Sequence, residues 1–356
     1  MKIVHISETF VTGVQSYLWS LTQFLSQNAS DAEIYIIYSG QRKEFDDNMV
    51  KKLFAGKATL IEVPMAAEIS PLSDAKATRQ IYRELKKIKP DVIHLHSSKA
   101  TILGRLAAFL YGGNKKLFYT PHGYSFLRTD VSKTKTGLFK AIEKYAQLFL
   151  GGTTVACGDT EYEIARTFGK AVLVRNGLSV DESIPAPALP DNTRLTVGIV
   201  SRITFARSPK LFNEIALRFP DIDFVWIGDG ELREALTAPN IRITGWLSGK
   251  EQVAAEIQRL DVYMQTSLWE GLPYAVLEAM ALRKPVVATN VIGNKDIVVH
   301  GETGFLFTDI SELDACFARL KDAANRSALG QAGYRRCLEL FNNNTNFKGL
   351  LELYRA

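Results

Sequence analysis

The chain has 356 residues with a formal charge of +5, and 46% of its residues are hydrophobic and 23% charged. That balance is typical of a folded globular protein and excludes a disordered or fibrous chain. The length exceeds the size at which one hydrophobic core usually stops growing, so two domains are expected. No apolar run approaches the roughly 18 residues of a membrane span, and the start MKIVHIS lacks the features of a secretory signal. We therefore expect a soluble, cytoplasmic protein.

The charge is uneven along the chain. It is about +6 over residues 1–185 and about −1 over the remainder. A basic first half predicts an anionic partner, but its basic residues are not interleaved with aromatic ones in the way that is typical of nucleic-acid binding. We expect an anionic substrate or an anionic membrane surface, and no nucleic acid.

Short β-branched runs alternate with amphipathic stretches in the first half. KIVHIS, EIYIIYS and KPDVIHLH are predicted strands, and GVQSYLWSLTQFLSQ and SKATILGRLAAFLYG are predicted helices. Further strands are predicted at KLFYT and TTVACG. The alternation is typical of βαβ units with a parallel sheet, so residues 1–180 are predicted to form a Rossmann-like domain.

Residues 181–192, DESIPAPALPDN, contain three prolines and no periodic apolar pattern, and are predicted to be a linker. The alternation restarts with the strands RLTVGIVS, IDFVWIG, IRITG, DVYMQT and KPVVATN, and with helices near PKLFNEIALRF and after Pro273. Residues 193–340 are therefore predicted to form a second Rossmann-like domain. Residues 341–356 are predicted to form a helix that returns to pack on the first domain.

The segment SLWEGLPYAVLEA, residues 267–279, places Glu270 before a Gly-Leu-Pro break and Glu278 two turns inside the helix that follows. Pro273 needs no N–H in a first turn, and Gly271 allows a tight turn close to a ligand. The free N–H groups of the helix start favour a phosphate, which a neighbouring carboxylate would repel. The two glutamates are therefore expected to bind hydroxyl groups at the two ends of a sugar–diphosphate–ribose ligand. A pair of solvated glutamates is the alternative.

This segment, with the strand KPVVAT and the turn GETGFLF after it, resembles the glutamate-x7-glutamate signature of glycosyltransferase family 4, and the resemblance covers nearly the whole chain. The family has the GT-B fold, in which two Rossmann-like domains with parallel sheets face each other across a cleft. Its members are retaining enzymes that use nucleotide sugars. The resemblance implies that Gly271, Leu272, Pro273 and Glu278 bind the donor and that Glu270 acts at the reacting centre.

Three cations follow the first strand of the second domain, in SRITFARSPK. Two cations at a strand end can neutralise a diphosphate leaving group. In the family, an arginine and a lysine five residues later hold this diphosphate. Arg202 matches the arginine, but Arg207 stands at the lysine position, with Lys210 just beyond it. Which of the two supplies the second charge stays open, and a solvated basic loop is the alternative.

The first domain carries further matches to the family. SETFVTGVQSYLWSL is similar to a glycine-containing loop near the donor phosphates, which implies a donor-binding role for Gly13. In Thr-Pro-His-Gly, His122 matches a histidine that reaches the donor sugar, and an imidazole can donate or accept a hydrogen bond. A structural histidine is the alternative. His94 and His96 alternate along VIHLH; His96, nearer the carboxyl end, is expected to face the acceptor, and His94 to lie in the core.

Other candidates are weaker. TGWLSGKEQ resembles a strand-to-helix loop beside the nucleotide base, so Gly245 and Trp246 are candidates for base contacts, with structural packing of Trp246 equally expected. IGNKDIV stands where the family often has Gly-Gly-x-Pro-Glu. Asn294 in this stretch is a candidate for phosphate or sugar contact through the backbone amides.

The stretch TKTGLFKAIEKYAQLFL combines four lysines with apolar residues in a helical pattern. One interpretation is peripheral docking on an anionic membrane, at the inner face of the cell membrane. The other is a helix that packs its apolar face on the core and leaves a basic face in water.

The expected activity is retaining transfer of a hexose or N-acetylhexosamine from a nucleotide diphosphate sugar, with uridine preferred on family grounds, to an acceptor hydroxyl. HSSKA and PHGYSF resemble segments of bacterial polysaccharide-assembly enzymes, which implies a lipid-linked saccharide acceptor in capsule, O-antigen or exopolysaccharide synthesis. No CxxC pair indicates a metal, and no metal or other cofactor is expected. The alternatives are a GT-B nucleotide-sugar epimerase and a nonenzymatic scaffold that binds sugar nucleotides.

Overall fold

The computed structural model describes residues 1–42, 45–113, 115–179 and 192–356. The predicted linker therefore lies, apart from Asn192, outside the described residues. The chain divides into two compact α/β units. Unit 1 comprises Met1–Asn176 and Asn343–Ala356, and unit 2 comprises Gly177–Asn342. Among the helices of the described residues, none is long and apolar enough to cross a bilayer.

Unit 1 is built on a seven-stranded parallel sheet in the order β3-β2-β1-β4-β5-β6-β7. Its strands are β1 Lys2–Ser7, β2 Glu33–Tyr38, β3 Thr59–Glu62, β4 Val92–His96, β5 Lys116–Thr120, β6 Thr153–Ala156 and β7 Ala171–Leu173. Its helices are α1 Thr12–Asn28, α2 Asp47–Phe54, α3 Pro71–Ile88, α4 Ser98–Tyr111, α5 Lys133–Leu150, α6 Asp159–Arg166 and α13 Asn343–Arg355. The strands predicted at KIVHIS, EIYIIYS, KPDVIHLH, KLFYT and TTVACG are all present.

The two central strands of unit 1 bring three histidines together. β1 and β4 are buried along almost their whole length, as is typical of parallel strands covered on both faces. Their register places His5 beside His94 and Ser7 beside His96. The carboxyl ends of these strands therefore gather polar side chains at one edge of the sheet.

The C-terminal helix α13 belongs to unit 1 and packs on α1. Phe347, Leu350, Leu351 and Tyr354 recur at positions i, i+3, i+4 and i+7 and are all buried. The hydroxyl of Tyr354 also lies 2.5 Å from Nδ1 of His94. The last turn of the chain thus supplies both apolar packing and a polar partner to the centre of the first sheet.

Unit 2 is built on a six-stranded parallel sheet in the order β10-β9-β8-β11-β12-β13. Its strands are β8 Thr196–Val200, β9 Asp223–Ile227, β10 Ile241–Ile243, β11 Val262–Gln265, β12 Val286–Thr289 and β13 Gly304–Phe307. Its helices are α7 Pro209–Arg218, α8 Lys250–Gln258, α9 Tyr274–Ala281, α10 Asn294–Ile297, α11 Leu313–Leu320 and α12 Ala323–Leu340.

Helix α12 holds α9 in place through two glycines. A Cβ at Gly330 would collide with the carbonyl oxygen of Arg283, just after α9, and one at Gly333 would lie 3.3 Å from the side chain of Met280. The guanidinium of Arg283 stacks over the ring of Tyr334, 3.9 Å from its centroid. This close packing fixes the helix that carries Glu278.

Candidate functional site

Glu270 lies in the loop between β11 and α9, at the carboxyl edge of the unit 2 sheet. It is only 7% exposed. One carboxylate oxygen, Oε1, accepts hydrogen bonds from Gln265 Nε2 and Ser267 Oγ at 2.7 Å each, and from the guanidinium of Arg207. The other oxygen, Oε2, makes no hydrogen bond within the described parts of the chain. Oε1 therefore fixes the carboxylate, and Oε2 is available for a ligand hydroxyl.

Arg207 supplies the charge that balances this buried carboxylate. Its guanidinium forms an ion pair with Glu270 and lies 3.1 Å from Ser267 Oγ, while its carbonyl oxygen accepts a hydrogen bond of 2.7 Å from Thr266. Burial opposes the positive charge, but the ion pair and hydrogen bond with Glu270 outweigh it and raise the pKa of Arg207. Arg207 is therefore committed to Glu270.

The turn before α9 packs tightly against the loop after β12. Gly293 has a φ of +86°, and a Cβ there would lie 2.5 Å from the carbonyl oxygen of Gly271. Asn294 is fully buried, and its Nδ2 donates to the carbonyl oxygen of Thr289 at 3.0 Å. The side chain of Asn294 therefore binds its own loop. The phosphate or sugar contact expected of the backbone amides in this stretch stays a prediction.

Helix α9 begins at Tyr274, with Pro273 at the N-cap position rather than inside the first turn. Leu272 is 5% exposed and anchors the turn. No side chain among the described residues caps this helix start, so its first N–H groups remain available to an anion.

Glu278 lies one turn further along α9 and is half-buried. Its carboxylate makes no hydrogen bond to any residue in the described ranges. Burial raises its pKa, and the positive charge of Lys250 opposes that shift. A partly desolvated carboxylate without a partner is well suited to accept hydrogen bonds from the hydroxyl groups of a neutral ligand.

The cations after β8 differ in their partners. Arg202 is 39% exposed at its side chain and pairs with Glu231 at 3.0 Å. Lys210, on α7, is exposed and forms no ion pair with a described residue. Of the two candidates for the second charge, Arg207 is bound to Glu270, whereas Lys210 is unpaired within the part of the chain that the structure covers.

Gly245 and Trp246 lie in the loop after β10. Gly245 has a φ of +74°, which only glycine adopts easily. Trp246 is 66% exposed, so the packing role expected as the alternative for its ring is wrong. The exposed indole of Trp246 is available to stack on a ligand ring.

In unit 1, Gly13 and His122 follow the carboxyl ends of β1 and β5. Gly13 is exposed in the first turn of α1, which has no side-chain cap. His122 is half-buried and has a φ of +55°, a conformation that is costly for a residue with a Cβ. The next amide, that of Gly123, donates to the carboxylate of Glu161 at 2.8 Å, which holds the loop.

His96 lies behind His122 and is fully buried. Its Nδ1 is 3.1 Å from Nε2 of His122, and its Nε2 is 3.0 Å from Nδ1 of His5. The expectation that His96 faces the acceptor is not supported by this geometry, because other histidines occupy both ring nitrogens. His94 is buried as predicted, and its nitrogens contact Tyr354 and Thr120.

Burial lowers the pKa of His5 and of His122 to about 3, and the pKa of His94 and of His96 falls well below its usual value for the same reason. The four rings are therefore neutral at pH 7. Nitrogens of three of them, His5, His94 and His96, lie within 4.8 Å of one another. Because all three rings are enclosed and five of their six nitrogens face hydrogen-bonding partners, the cluster is better described as a hydrogen-bond network than as a ligand set.

Sequence reasoning missed Gln265, Ser267 and His5. Each carried a signal: Gln265 and His5 are polar positions inside otherwise apolar strands, and Ser267 lies three residues before Glu270. Their partners are distant in sequence, so the signal indicated a polar contact without indicating its target.

Two sequence profiles match the chain. One described as Glycosyltransferase Family 4 matches residues 11–182, and one described as Glycosyl transferases group 1 matches residues 203–322. The chain is 29% identical over 349 residues to UDP-Gal:alpha-D-GlcNAc-diphosphoundecaprenol alpha-1,3-galactosyltransferase of Escherichia coli, covering 88% of this chain and 86% of that protein. It is 22% identical over 371 residues to the capsular polysaccharide biosynthesis glycosyltransferase CapM of Staphylococcus aureus, covering 94% and 92%.

Solved structures share the architecture. Sucrose-phosphate synthase from Thermosynechococcus elongatus superposes with a TM-score of 0.81 at 17% identity, covering 100% of this chain and 98% of that one. Anabaena Alr3699/HepE in complex with UDP-glucose gives a TM-score of 0.76 at 16% identity, with 99% of both chains covered. At these identities the likeness shows the fold alone.

We expect the ion pair between Arg207 and Glu270 to stabilise unit 2 measurably. Arg207→Met leaves a buried carboxylate without its cation and should cost about 2–3 kcal/mol of unfolding free energy in urea denaturation. Combining it with Glu270→Gln removes the unpaired charge, so the double variant should recover about half of that loss.

The matched control is Arg218→Met, which breaks an ion pair with Asp314 whose partners are 45% and 56% exposed. It should leave the unfolding free energy almost unchanged, because water screens an exposed ion pair. An Arg207→Met variant as mild as this control would contradict the assigned role.

Proposed function

Because the chain is a glycosyltransferase of the family 4 type with the GT-B fold, we propose that it transfers a hexose or N-acetylhexosamine from a UDP-sugar to a hydroxyl group, with retention of configuration. The observation that carries the proposal is the pair of carboxylates around the start of α9. Glu270 is fixed through Oε1 with Oε2 available, and Glu278 has no side-chain partner among the described residues. Both are ready to accept hydrogen bonds from sugar hydroxyls.

The diphosphate of the donor is assigned to the uncapped start of α9, whose amides favour an anion. Arg202 and Lys210 are assigned to the leaving group, because Arg207 is held by the buried Glu270, whereas the ion pair of Arg202 with Glu231 is exposed and easily exchanged. In the proposed reaction, the bond between the anomeric carbon and the phosphate oxygen breaks while the acceptor oxygen bonds on the same face. The acceptor proton passes to the departing diphosphate, so the catalytic contribution of the protein is charge stabilisation.

Two similar proteins support the choice of UDP in the donor and of a lipid-linked acceptor. The Escherichia coli relative uses UDP-Gal and a diphosphoundecaprenol-linked acceptor according to its name, and HepE is a fold neighbour solved with UDP-glucose. By analogy, we propose a UDP-sugar and a lipid-linked saccharide in the synthesis of a bacterial surface polysaccharide. We propose no metal cofactor, since the site consists of cations and amides that can balance a diphosphate without one.

A thermal-shift panel of UDP-, GDP- and ADP-sugars tests the donor. A ligand at a hundred times its dissociation constant stabilises by about 2.7 kcal/mol, which should raise the melting temperature of this protein by roughly 5–10 °C for one nucleotide class. The shift should disappear in Glu278→Ala and persist in the control Glu214→Ala, an exposed glutamate of α7 in the same unit.

Failure of every nucleotide sugar to shift the melting temperature would contradict the proposal. Donor alone giving a new sugar nucleotide would support the epimerase, and binding without product for any acceptor would support the scaffold. An inverted anomeric configuration in the product, measured by NMR, would contradict retention.

The raised pKa of Glu278 predicts how stability depends on pH. Because the folded state holds this proton more tightly than the unfolded state, the ionised group disfavours folding above its folded pKa. Glu278→Gln removes that penalty and should raise the melting temperature of the ligand-free protein by about 2 °C at pH 7.5, with the difference vanishing toward pH 4. Glu214→Gln should show no such trend, and an unchanged or lower melting temperature in Glu278→Gln at pH 7.5 would contradict it.

We also propose a membrane contact for α5. Three large apolar residues of this helix face outward: Leu138, Tyr145 and Phe149 are 52%, 52% and 72% exposed. Phe139 packs against the core. The residues that the helix buries are Glu143, Ala146 and Gln147. The alternative expectation, that α5 packs its apolar face on the core, is therefore wrong for Leu138, Tyr145 and Phe149.

The lysines of α5 form a second exposed face. Lys133, Lys140 and Lys144 follow the spacing i, i+7 and i+11 and so lie on one side of the helix. They are exposed and form no ion pair with a residue in the described ranges. Leu148, 61% exposed, lies between the lysines and the apolar side chains. Free positive charge beside apolar and aromatic side chains complements an anionic lipid surface.

Vesicle sedimentation tests this contact. The protein should bind vesicles rich in phosphatidylglycerol and not vesicles of phosphatidylcholine. Because each basic residue near an anionic surface contributes about 1 kcal/mol, a triple change of Lys133, Lys140 and Lys144 to Gln should weaken binding roughly a hundredfold.

The control replaces Lys51, Lys52 and Lys57 with Gln, at the β3 edge of the same sheet, and should bind almost as well as the wild type. If Tyr145→Ser with Phe149→Ser changed the oligomeric mass in solution and left vesicle binding intact, the face would be a protein interface and the membrane contact would be wrong.

A further inference from the structure

Three imidazoles form a continuous hydrogen-bonded row in unit 1. His5 of β1 contacts His96 of β4 at 3.0 Å, and His96 contacts His122 at 3.1 Å. Each contact joins an Nδ1 to an Nε2 in the same direction along the row. We call these residues the histidine row.

The row has only two consistent proton arrangements. The rings are neutral, so each carries one N–H, and each contact needs one donor and one acceptor. If one ring is protonated on Nδ1, its neighbours must be too, and the same holds for Nε2. The three tautomers are therefore coupled, and a choice at one end sets the other end.

The surroundings of His5, at the buried end of the row, select one of the two arrangements. Nε2 of His5 is enclosed and has no hydrogen-bond partner among the residues that the structure describes. Protonation on Nε2 throughout the row would leave a buried N–H without an acceptor at this atom, and orphaned buried N–H groups are rare because they are costly. Protonation on Nδ1 throughout the row leaves only an unpaired acceptor at Nε2 of His5, which costs less than an unpaired N–H. We propose that His5 and His96 are positioning residues that hold His122 in the Nδ1–H tautomer.

This arrangement gives His122 a defined role. Its Nε2 accepts from His96, and its Nδ1 makes no hydrogen bond to a described residue and is not among the enclosed polar atoms. The ring is also held by the edge-on ring of Tyr17, with 4.8 Å between centroids. His122 therefore presents an N–H donor, which selects a ligand oxygen such as a sugar hydroxyl or a phosphate. The nature of that ligand rests on the proposed function, but the tautomer does not.

The decisive measurement is a long-range 1H–15N correlation spectrum of the 15N-labelled protein, which identifies the protonated nitrogen of each ring. The chain has only five histidines, so single substitutions can assign every signal. The expected result is Nδ1–H for His5, His96 and His122 alike. Nε2–H at His122, or different tautomers within the row, would overturn the proposal whichever donor and acceptor the protein proves to use.

Variants of His96 test the positioning role. His96→Phe removes the N–H that is directed at His122, so the His122 signal should become an average of both tautomers and kcat/KM should fall about tenfold. His96→Gln restores an amide donor and should recover the Nδ1–H form, with kcat/KM within about threefold of the wild type.

His300→Gln is the control, since His300 is an exposed histidine of unit 2, and it should change neither the row nor the activity. A pure Nδ1–H tautomer at His122 in His96→Phe would show that the row does not set it. If His96→Phe fails to fold, the wild-type spectrum and His96→Gln still decide the question.

Discussion

A carboxylate buried at the edge of a sheet needs a cation that remains beside it, and the ion pair between Arg207 and Glu270 meets that need. The pair fixes one carboxylate oxygen and the loop around it, together with the hydrogen bonds of Gln265 and Ser267. The turn that leads into α9 is positioned by the same loop and by the close approach of Gly293 to Gly271. The start of α9, and with it the arrangement of the two glutamates, depends on this one pair.

The same pair limits what Arg207 can do for a ligand. The guanidinium of Arg207 cannot move to a diphosphate without leaving the buried carboxylate of Glu270 unpaired, which is costly. Where the family has a lysine, this chain has an arginine, whose planar group suits a fixed ion pair better than a mobile contact. The departure from the family pattern thus agrees with the proposed division of roles, in which Arg207 holds Glu270 and Lys210 faces the diphosphate.

The polar side chains that β1 and β4 bury at the centre of the unit 1 sheet carry no charge. Four neutral histidines bind one another and neutral hydroxyl groups, among them that of Tyr354 from α13. Neutral rings cost less to bury than ions, and a row of them transmits a proton arrangement without a net charge. The C-terminal helix is therefore part of the environment of these histidines as well as of the apolar core.

Helix α5 shows why a local pattern can mislead. Glu143 can be buried because the hydroxyl groups of Ser98 and Tyr119 donate hydrogen bonds to its carboxylate at 2.7 and 3.0 Å. These hydrogen bonds lower its pKa, but burial has the larger effect and raises it. Gln147 is buried because its amide donates to the carbonyl oxygen of Lys170 at 2.8 Å. These polar contacts turn the helix so that Leu138, Tyr145 and Phe149 face outward. No periodicity within α5 contains that information.

The sequence alone determined the class of fold and most of its strands, because apolar runs and their alternation with helical stretches reflect burial that is local to each element. It also singled out Glu270, Glu278, Arg202 and His122 as candidate site residues through a pattern of residues close together in the chain. Only the tertiary structure decided that Arg207 pairs with Glu270, that His96 is enclosed by His5 and His122, and that Asn294 binds its own loop. Each of these depends on contacts between residues that the strand order brings together, and the order of strands in a parallel sheet is not encoded in any single segment.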